Sequence, residues 1–244
     1  MNSKVRLDNL LVQKRMAPSL ERAQALIMAG NVLVKESVVD KAGALVSPEA
    51  AIRIKGADLT YVSRGGMKLK GALDNFRIAV RDLVVLDVGA STGGFTDCLL
   101  QEGAAKVYAL DVSYGQLAWK LRDDPRVVPI ERTNIRYFTG EGIAENIGLA
   151  TIDASFISLK LVIPAVLKLI AADASVLALI KPQFEVGKNE VGQRGVVKDP
   201  GLHRRVIEEI TGFCQENDLE VAGVCESKLA GPAGNKEFFI HARR

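Results

Sequence analysis

The chain has 244 residues, 48% hydrophobic and 25% charged, which suits a globular protein with one medium domain and a smaller companion. Its three cysteines, Cys98, Cys214 and Cys225, are odd in number, far apart and outside any C-x-x-C pair, which argues against a disulfide framework and a zinc site. The net charge of +3 conceals a division: residues 1–80 carry 13 Lys and Arg against 7 Asp and Glu, and residues 81–244 carry 19 against 22, so a polyanionic partner is expected at the amino-terminal end.

In chain order, Met1 to Arg6 shows no apolar signal core, and a cytoplasmic location is expected. Val5 to Arg15 places Leu7, Leu10 and Leu11 at helical spacing, with Lys4, Arg6, Lys14 and Arg15 on the other faces. Pro18-Ser19 reads as a break, with Ser19 the N-cap of a second helix whose apolar face is Ala23, Leu26 and Ile27 and whose stop is Gly30. Asn31 to Lys35 and Ala51 to Ile54 read as short strands of a small hairpin. The run Arg6-Leu7-Asp8-Asn9-Leu10-Leu11, followed by Ser19-x-x-Arg22-Ala23-x-x-Leu26-Ile27-x-x-Gly30-x-Val32-x-Val34, resembles the small RNA-binding domain first described in ribosomal protein S-four. That resemblance implies an α+β RNA-binding domain over residues 1–57. Lys4, Arg6, Lys14, Arg15, Ser19, Arg22 and Lys35, with Arg64 further on, are its candidate RNA contacts.

Gly56 to Thr60 is polar and glycine-bearing, and residues 58–62 are expected to link this domain to a second one over 63–244. Gly65-Gly66 reads as a turn and Lys68 to Phe76 as a helix, with Lys68 at its amino terminus, either a surface lysine or one aimed into a site. Strands are expected at Val84–Val88, Ala105–Leu110, Val127–Ile130, Ala150–Phe156 and Ser175–Ile180, the third near a sheet edge because of Pro129. The most apolar helical stretch, Leu159 to Ile170, contains Lys160, Pro164 and Lys168 and so does not read as a membrane span. Gly187 to Pro200, with Lys188, Arg194 and Lys198, reads as a flexible basic loop, a candidate lid over a polyanionic substrate. A helix at Gly201–Asn217, a strand at Glu220–Cys225, a turn at Gly231–Gly234 and a last strand at Asn235–Ile240 close the chain with a hairpin.

The turn from Asp87 to Asp97 admits three readings. A dinucleotide fingerprint would need glycine where Ser91 stands, and Asp87 and Asp97 disfavour a pyrophosphate. Gly89-Ala90-Ser91-Thr92-Gly93 formally matches a hydrolase elbow, for which Ser91, Asp153 and His203 form the natural triad. An S-adenosylmethionine loop would use the glycines against the methionine moiety, Asp87 near its amino group and Asp111, ending the next strand, on the ribose.

Asp87, Asp111, Asp153 and Lys181 all end expected strands and would face one crevice. Lys68, Asp153, Lys181 and Glu237 together resemble the Lys-Asp-Lys-Glu tetrad of FtsJ-type ribose 2′-O-methyltransferases. With an S-four module in front, the whole resembles the TlyA family of ribosomal-RNA 2′-O-methyltransferases, first labelled haemolysins. The motifs carrying this are Ser63-Arg64-Gly65-Gly66-x-Lys68-Leu69, Leu86-Asp87-x-Gly89 to Thr96, Ile180 to Glu185 and Gly234-Asn235-x-Glu237-Phe238. Asp58-Leu59-Thr60-Tyr61 departs from the family's Arg- and Trp-bearing linker. The resemblance implies a Rossmann-like class I methyltransferase domain, α/β with a seven-stranded, mostly parallel sheet and helices on both faces. It implies S-adenosyl-L-methionine as cofactor, Asp87, Gly89, Ser91, Gly93, Gly94, Phe95 and Asp111 around it, and no metal. Ribosomal RNA is the implied partner, cytidine in 23S RNA above 16S, for a monomer with no membrane partner. Lysines suit the chemistry because a ribose hydroxyl must be oriented and relieved of its proton as the C–O bond forms; Lys181 is expected on that hydroxyl with Lys68 assisting. A non-catalytic RNA-binding or assembly factor, a serine hydrolase and a haemolysin are the competing readings.

Overall fold

The computed structural model describes residues 4–14, 16–17, 19–28, 30–54, 60–231 and 233–244. The chain divides into two compact units, residues 1–59 and 60–244. Asp58 and Leu59 of the expected linker lie outside the described residues, whereas Tyr61 is buried in the second unit and the Val62 N–H donates to Asp97 there at 2.7 Å.

The first unit runs β1 (Val5–Arg6), α1 (Leu7–Gln13), α2 (Leu20–Met28), β2 (Val32–Val34), β3 (Ser37–Val38), β4 (Leu45–Val46) and β5 (Ile52–Ile54). Leu7, Leu11, Ala23, Ile27, Val32 and Ile54 form its core. The Ser19 hydroxyl accepts from Arg22 N–H at 3.3 Å, as an N-cap should. At the other end of α2, the Gly30 and Asn31 N–H groups bond the carbonyls of Ile27 and Leu26, with Gly30 at φ 68°. That double bond is a Schellman stop. There are more strands than the expected hairpin: β2 pairs antiparallel with both β3 and β5, and β1 pairs with β4.

The second unit runs α3 (Arg64–Phe76), β6 (Val84–Val88), α4 (Gly94–Gln101), β7 (Lys106–Leu110), α5 (Trp119–Arg122), β8 (Val127–Ile130), β9 (Ile147–Ile152), α6 (Leu159–Leu167), β10 (Ile170–Ile180), α7 (Pro182–Glu185), α8 (Pro200–Glu216), β11 (Glu220–Glu226) and β12 (Phe238–Arg243). Its sheet has seven strands in the order β11-β12-β10-β9-β6-β7-β8. Neighbours pair in parallel from β10 to β8, while β12 runs antiparallel to both β10 and β11. The edge position of β8 accommodates Pro129, which has no N–H for a further strand. Helices α6 and α8 bury Val162, Ile163, Val206 and Ile210 on one face, and α3, α4 and α5 bury Leu69, Leu99 and Leu121 on the other. Apolar strands covered on both sides are what a parallel sheet requires.

Several local expectations change: the strands expected at Ala150–Phe156 and Ser175–Ile180 run Ile147–Ile152 and Ile170–Ile180, and three further changes bear on the site. Gly65 and Gly66 lie inside the first turn of α3, capped by Ser63, rather than in a turn before it. A Cβ on Gly66 would come 2.3 Å from the Tyr61 ring, so its glycine serves close packing. The last strand starts at Phe238, three residues later than expected, which leaves Asn235 and Glu237 on the approach to the sheet. The stretch Gly187–Pro200 contains two 3₁₀ turns, Lys188–Glu190 and Gln193–Gly195, and buries Val197, so it is built rather than slack.

Candidate active site

Strand order reverses between β6 and β9, and a crevice opens at their carboxyl ends, as the geometry of open α/β sheets dictates. Gly89, just past β6, has φ 86°, and a Cβ there would meet the Asp153 carbonyl oxygen at 2.6 Å. Only glycine lets the loop pass that close to the end of β9. The Asp111 carboxylate accepts the Ser91 N–H and the Ser113 N–H, both at 2.7 Å, and so braces the loop after β6 against the end of β7. A cleft of about 890 Å³ follows, lined by Gly89, Ser91, Asp111, Asp153, apolar Val112, Ile135 and Leu161, and Phe156. A cradle a side chain would fill, a carboxylate on the second strand and an apolar wall can hold a nucleoside-bearing cofactor.

Four expected cofactor residues sit behind this cleft. Asp87 is the fourth residue of β6 rather than its end, fully buried, and its two oxygens accept the hydroxyls of Thr96 (2.7 Å) and Thr151 (3.0 Å). Burial pushes its carboxyl up to about 7 despite those bonds, and it has no open face for an amine. Gly93 and Gly94 serve packing: a Cβ on either would fall 2.2 Å from a Leu121 methyl or 2.1 Å from the Ser63 hydroxyl. Phe95 stacks on Phe239 in the core at 6.1 Å.

The tetrad forms two ion pairs. Lys68 lies in the second turn of α3, not at its start, and its Nζ donates to Glu237 Oε2 at 2.6 Å with both side chains buried. Lys181 follows β10; its Nζ lies 2.6 Å from Asp153 Oδ1, off hydrogen-bond alignment, and donates to the Ser155 hydroxyl at 2.9 Å. Sheet register joins the pairs. Ile180 stands opposite Phe238, so the next residues outward, Lys181 and Glu237, are neighbours at the same sheet end. A Cβ on Gly231 would lie 2.4 Å from Glu237 Oε1, so that glycine makes room for the acid. Glu185, in the same motif as Lys181, accepts the Ser158 hydroxyl and the Leu159 N–H, capping α6; burial raises its pKa.

The hydrolase triad is not assembled. The Ser91 hydroxyl donates to Gln116 at 3.3 Å, His203 Nε2 faces the Val197 carbonyl at 2.9 Å, and Asp153 holds Lys181. In the first unit, Lys4, Lys14, Arg22 and Lys35 are exposed, while the Arg6 guanidinium is bonded to buried Asp8 and holds that carboxyl down at about 2. Arg15 lies outside the described residues. Arg64, in the second unit, is exposed and donates to the Ala230 carbonyl at 3.1 Å. Sequence reasoning missed Ser155 and Phe156. The latter is 91% exposed at φ 63°, and its ring tilts against Phe184 at 5.0 Å on the rim of the cleft. The signal for both was their place two and three residues after Asp153.

Residues 61–244 match the FtsJ-like methyltransferase family and residues 5–52 the S4 domain. Over 244 residues the chain is 46% identical to the 16S/23S rRNA (cytidine-2′-O)-methyltransferase TlyA of Mycobacterium tuberculosis, covering all of this chain and 91% of that one. A solved Streptococcus thermophilus structure carrying the hemolysin label is 40% identical with TM-score 0.77, covering 100% of this chain and 90% of its own. An S-adenosylmethionine-dependent methyltransferase of Mesorhizobium loti, 14% identical over 72% of this chain and 98% of its own, shares the fold at TM-score 0.55. With its sheet order, its buried lysine pairs and these matches along its whole length, the chain belongs to the TlyA family of FtsJ-like methyltransferases.

Proposed function

We propose that this protein methylates the ribose 2′-hydroxyl of a cytidine in ribosomal RNA, using S-adenosyl-L-methionine, as a cytoplasmic monomer. In this reading residues 1–57 grip the RNA, 58–62 link, and 63–244 carry out the transfer. The observation that supports it most is the pairing of Lys68 with Glu237 and of Lys181 with Asp153 at the same end of the sheet as the glycine cradle. The 46% identical relative is named for both 16S and 23S RNA, so both are candidate substrates here.

Bound S-adenosylmethionine would supply a methyl group on a positively charged sulfur. Gly89 leaves space for its methionine portion, Asp111 offers lone pairs to ribose hydroxyls, and Val112, Ile135 and Leu161 form an apolar wall for adenine. Asp87 acts behind the cradle, holding α4 and β9 to β6 through Thr96 and Thr151. Lys181, steadied by Asp153 and Ser155, orients the 2′-hydroxyl oxygen, and its Nζ, as the neutral amine, takes the hydroxyl proton as the C–O bond forms. Lys68 and Glu237 hold the charge balance beside it. Phe156 offers an exposed ring on which a target base drawn out of its stack can rest.

The test is methyl transfer to 23S and 16S RNA lacking the modification, followed by mapping of modified riboses. Wild type should label cytidine, and Lys181→Ala should lose at least about a hundredfold in rate, the lower range for removing a proton-transfer group. Equal rates would remove Lys181 from the mechanism. Cofactor-independent RNA binding with no transfer by wild type would favour the assembly-factor reading instead.

A further inference from the structure

The basic stretch between α7 and α8 is held at three points. Glu190 accepts two N–H bonds from Arg205, at 2.8 and 2.6 Å, and one from Gly187 at 3.0 Å. Asn235, itself buried, accepts from the Val197 N–H and donates to the Gly195 carbonyl, both at 2.9 Å. His203 faces the Val197 carbonyl at 2.9 Å. Between these anchors Lys188, Arg194 and Lys198 are exposed, and among the described residues no ion pair involves them. Arg194 is held at φ 63°. The nearby carboxylates are engaged elsewhere: Glu190 on Arg205, and Asp199 as the cap of α8 through the Gly201 N–H at 2.7 Å. Asn235 precedes Glu237 by two residues, about 7 Å of extended chain, so the ledge borders the tetrad.

We infer that this fixed ledge is a second RNA-gripping surface, one that takes the backbone phosphates of nucleotides flanking the modified ribose. The inference rests on the proposed function and deepens it. Three separated cations strung along a loop match a chain of charges better than one small anion, and they act as point contacts without reading sequence. Because the anchors already fix the backbone, binding need not order it, which favours affinity. The two units thus divide the work: the first contributes RNA affinity of its own, and the ledge adds grip on the strand that enters the site.

The test uses the full chain carrying Lys188→Ala, Arg194→Ala and Lys198→Ala together, with in-vitro transcribed 23S and 16S RNA as probes. RNA affinity by filter retention is read between about 50 and about 200 mM salt, the range over which phosphate contacts dominate. Affinity at the low-salt end should fall at least about tenfold, and the slope of log affinity against log salt should become shallower by about 2, at about 0.7 per lost single-strand contact. Cofactor affinity by calorimetry should stay near wild type. The swapped variant Lys188→Arg, Arg194→Lys, Lys198→Arg should restore affinity and slope. Wild-type affinity and slope in the triple alanine variant, or no restoration by the swap, would overturn the inference. Failure of wild type to methylate either RNA would refute the proposed function, and the binding measurement would still decide the ledge.

Discussion

Replacing Glu237 by glutamine separates the fold from the chemistry at the point where the two are most closely joined. Lys68 Nζ sits 2.6 Å from Glu237 Oε2, with side-chain exposures of 10% and 1%. Glutamine keeps the shape and removes the charge, leaving an ammonium out of water with no counter-charge. Removing one partner of such a pair costs about 3–5 kcal/mol. For a unit of this size each kcal/mol lowers the melting temperature by about 2–4 °C, so Glu237→Gln should melt roughly 6–20 °C lower. The double variant Lys68→Met with Glu237→Met removes both charges and keeps apolar volume, and should return to within about 1 kcal/mol of wild type or exceed it. Urea unfolding followed by far-UV circular dichroism measures all three, with Lys68→Met and Glu237→Met completing the cycle. Both Glu237→Gln and the double variant should be inactive. Stability like that of wild type in Glu237→Gln, or a double variant no more stable than the weaker single one, would refute the buried-pair reasoning.

Asp111→Ala removes the acceptor of two backbone N–H groups and the proposed ribose contact, and should weaken cofactor binding by at least about tenfold, one charged hydrogen bond's worth, as calorimetry would show. Asp87 titrates near 7 in the fold against about 3.8 unfolded, so the folded state holds the extra proton between those values. Its contribution is full below about 3.8 and is lost as pH rises through about 7, so Asp87→Asn should lose less stability than wild type over that interval in denaturation at each pH. Phe156→Ala should raise the KM for RNA by about 5- to 150-fold, the worth of one base stacked on an aromatic ring, while the melting temperature stays unchanged, since the ring is 91% exposed.

The lining of the cleft was more legible in the sequence than the edges of the elements around it. Gly89, Ser91 and Asp111 were readable because a buried strand that breaks into small residues, or ends in an acid, stands out locally, and all three line the cleft. Asp87 was not: its role turns on whether the strand ends one residue later, at Val88, and on hydroxyls from Thr96 and from Thr151, 64 residues away. Gly65 and Gly66 looked like a turn because nothing in the local pattern reveals that Tyr61 folds back over the helix they begin. The strand count of the first unit was likewise hidden, since two-residue strands such as β3 and β4 leave no periodicity to detect.

The stretch Gly187–Pro200 shows the same limit in a form that bears on function. Its glycines, charges and lack of periodicity are what a mobile lid would have, and local reasoning had no ground to prefer anything else. Its order comes from partners that the chain supplies later: Arg205 and His203 on α8, and Asn235, whose bond to Gly195 spans 40 residues. Asn235 and Glu237 lie two residues apart on the approach to β12, one fixing the ledge and the other fixing Lys68. A shift of that short segment would therefore disturb the ledge and the lysine pair together. Had the last strand begun at Asn235, the alternate facing of strand residues would have put Asn235 and Glu237 on one face within the sheet. The later start at Phe238 leaves Asn235 free to bond the Gly187–Pro200 stretch and Glu237 free to pair with Lys68, and it is this three-residue difference that lets one buried segment serve both.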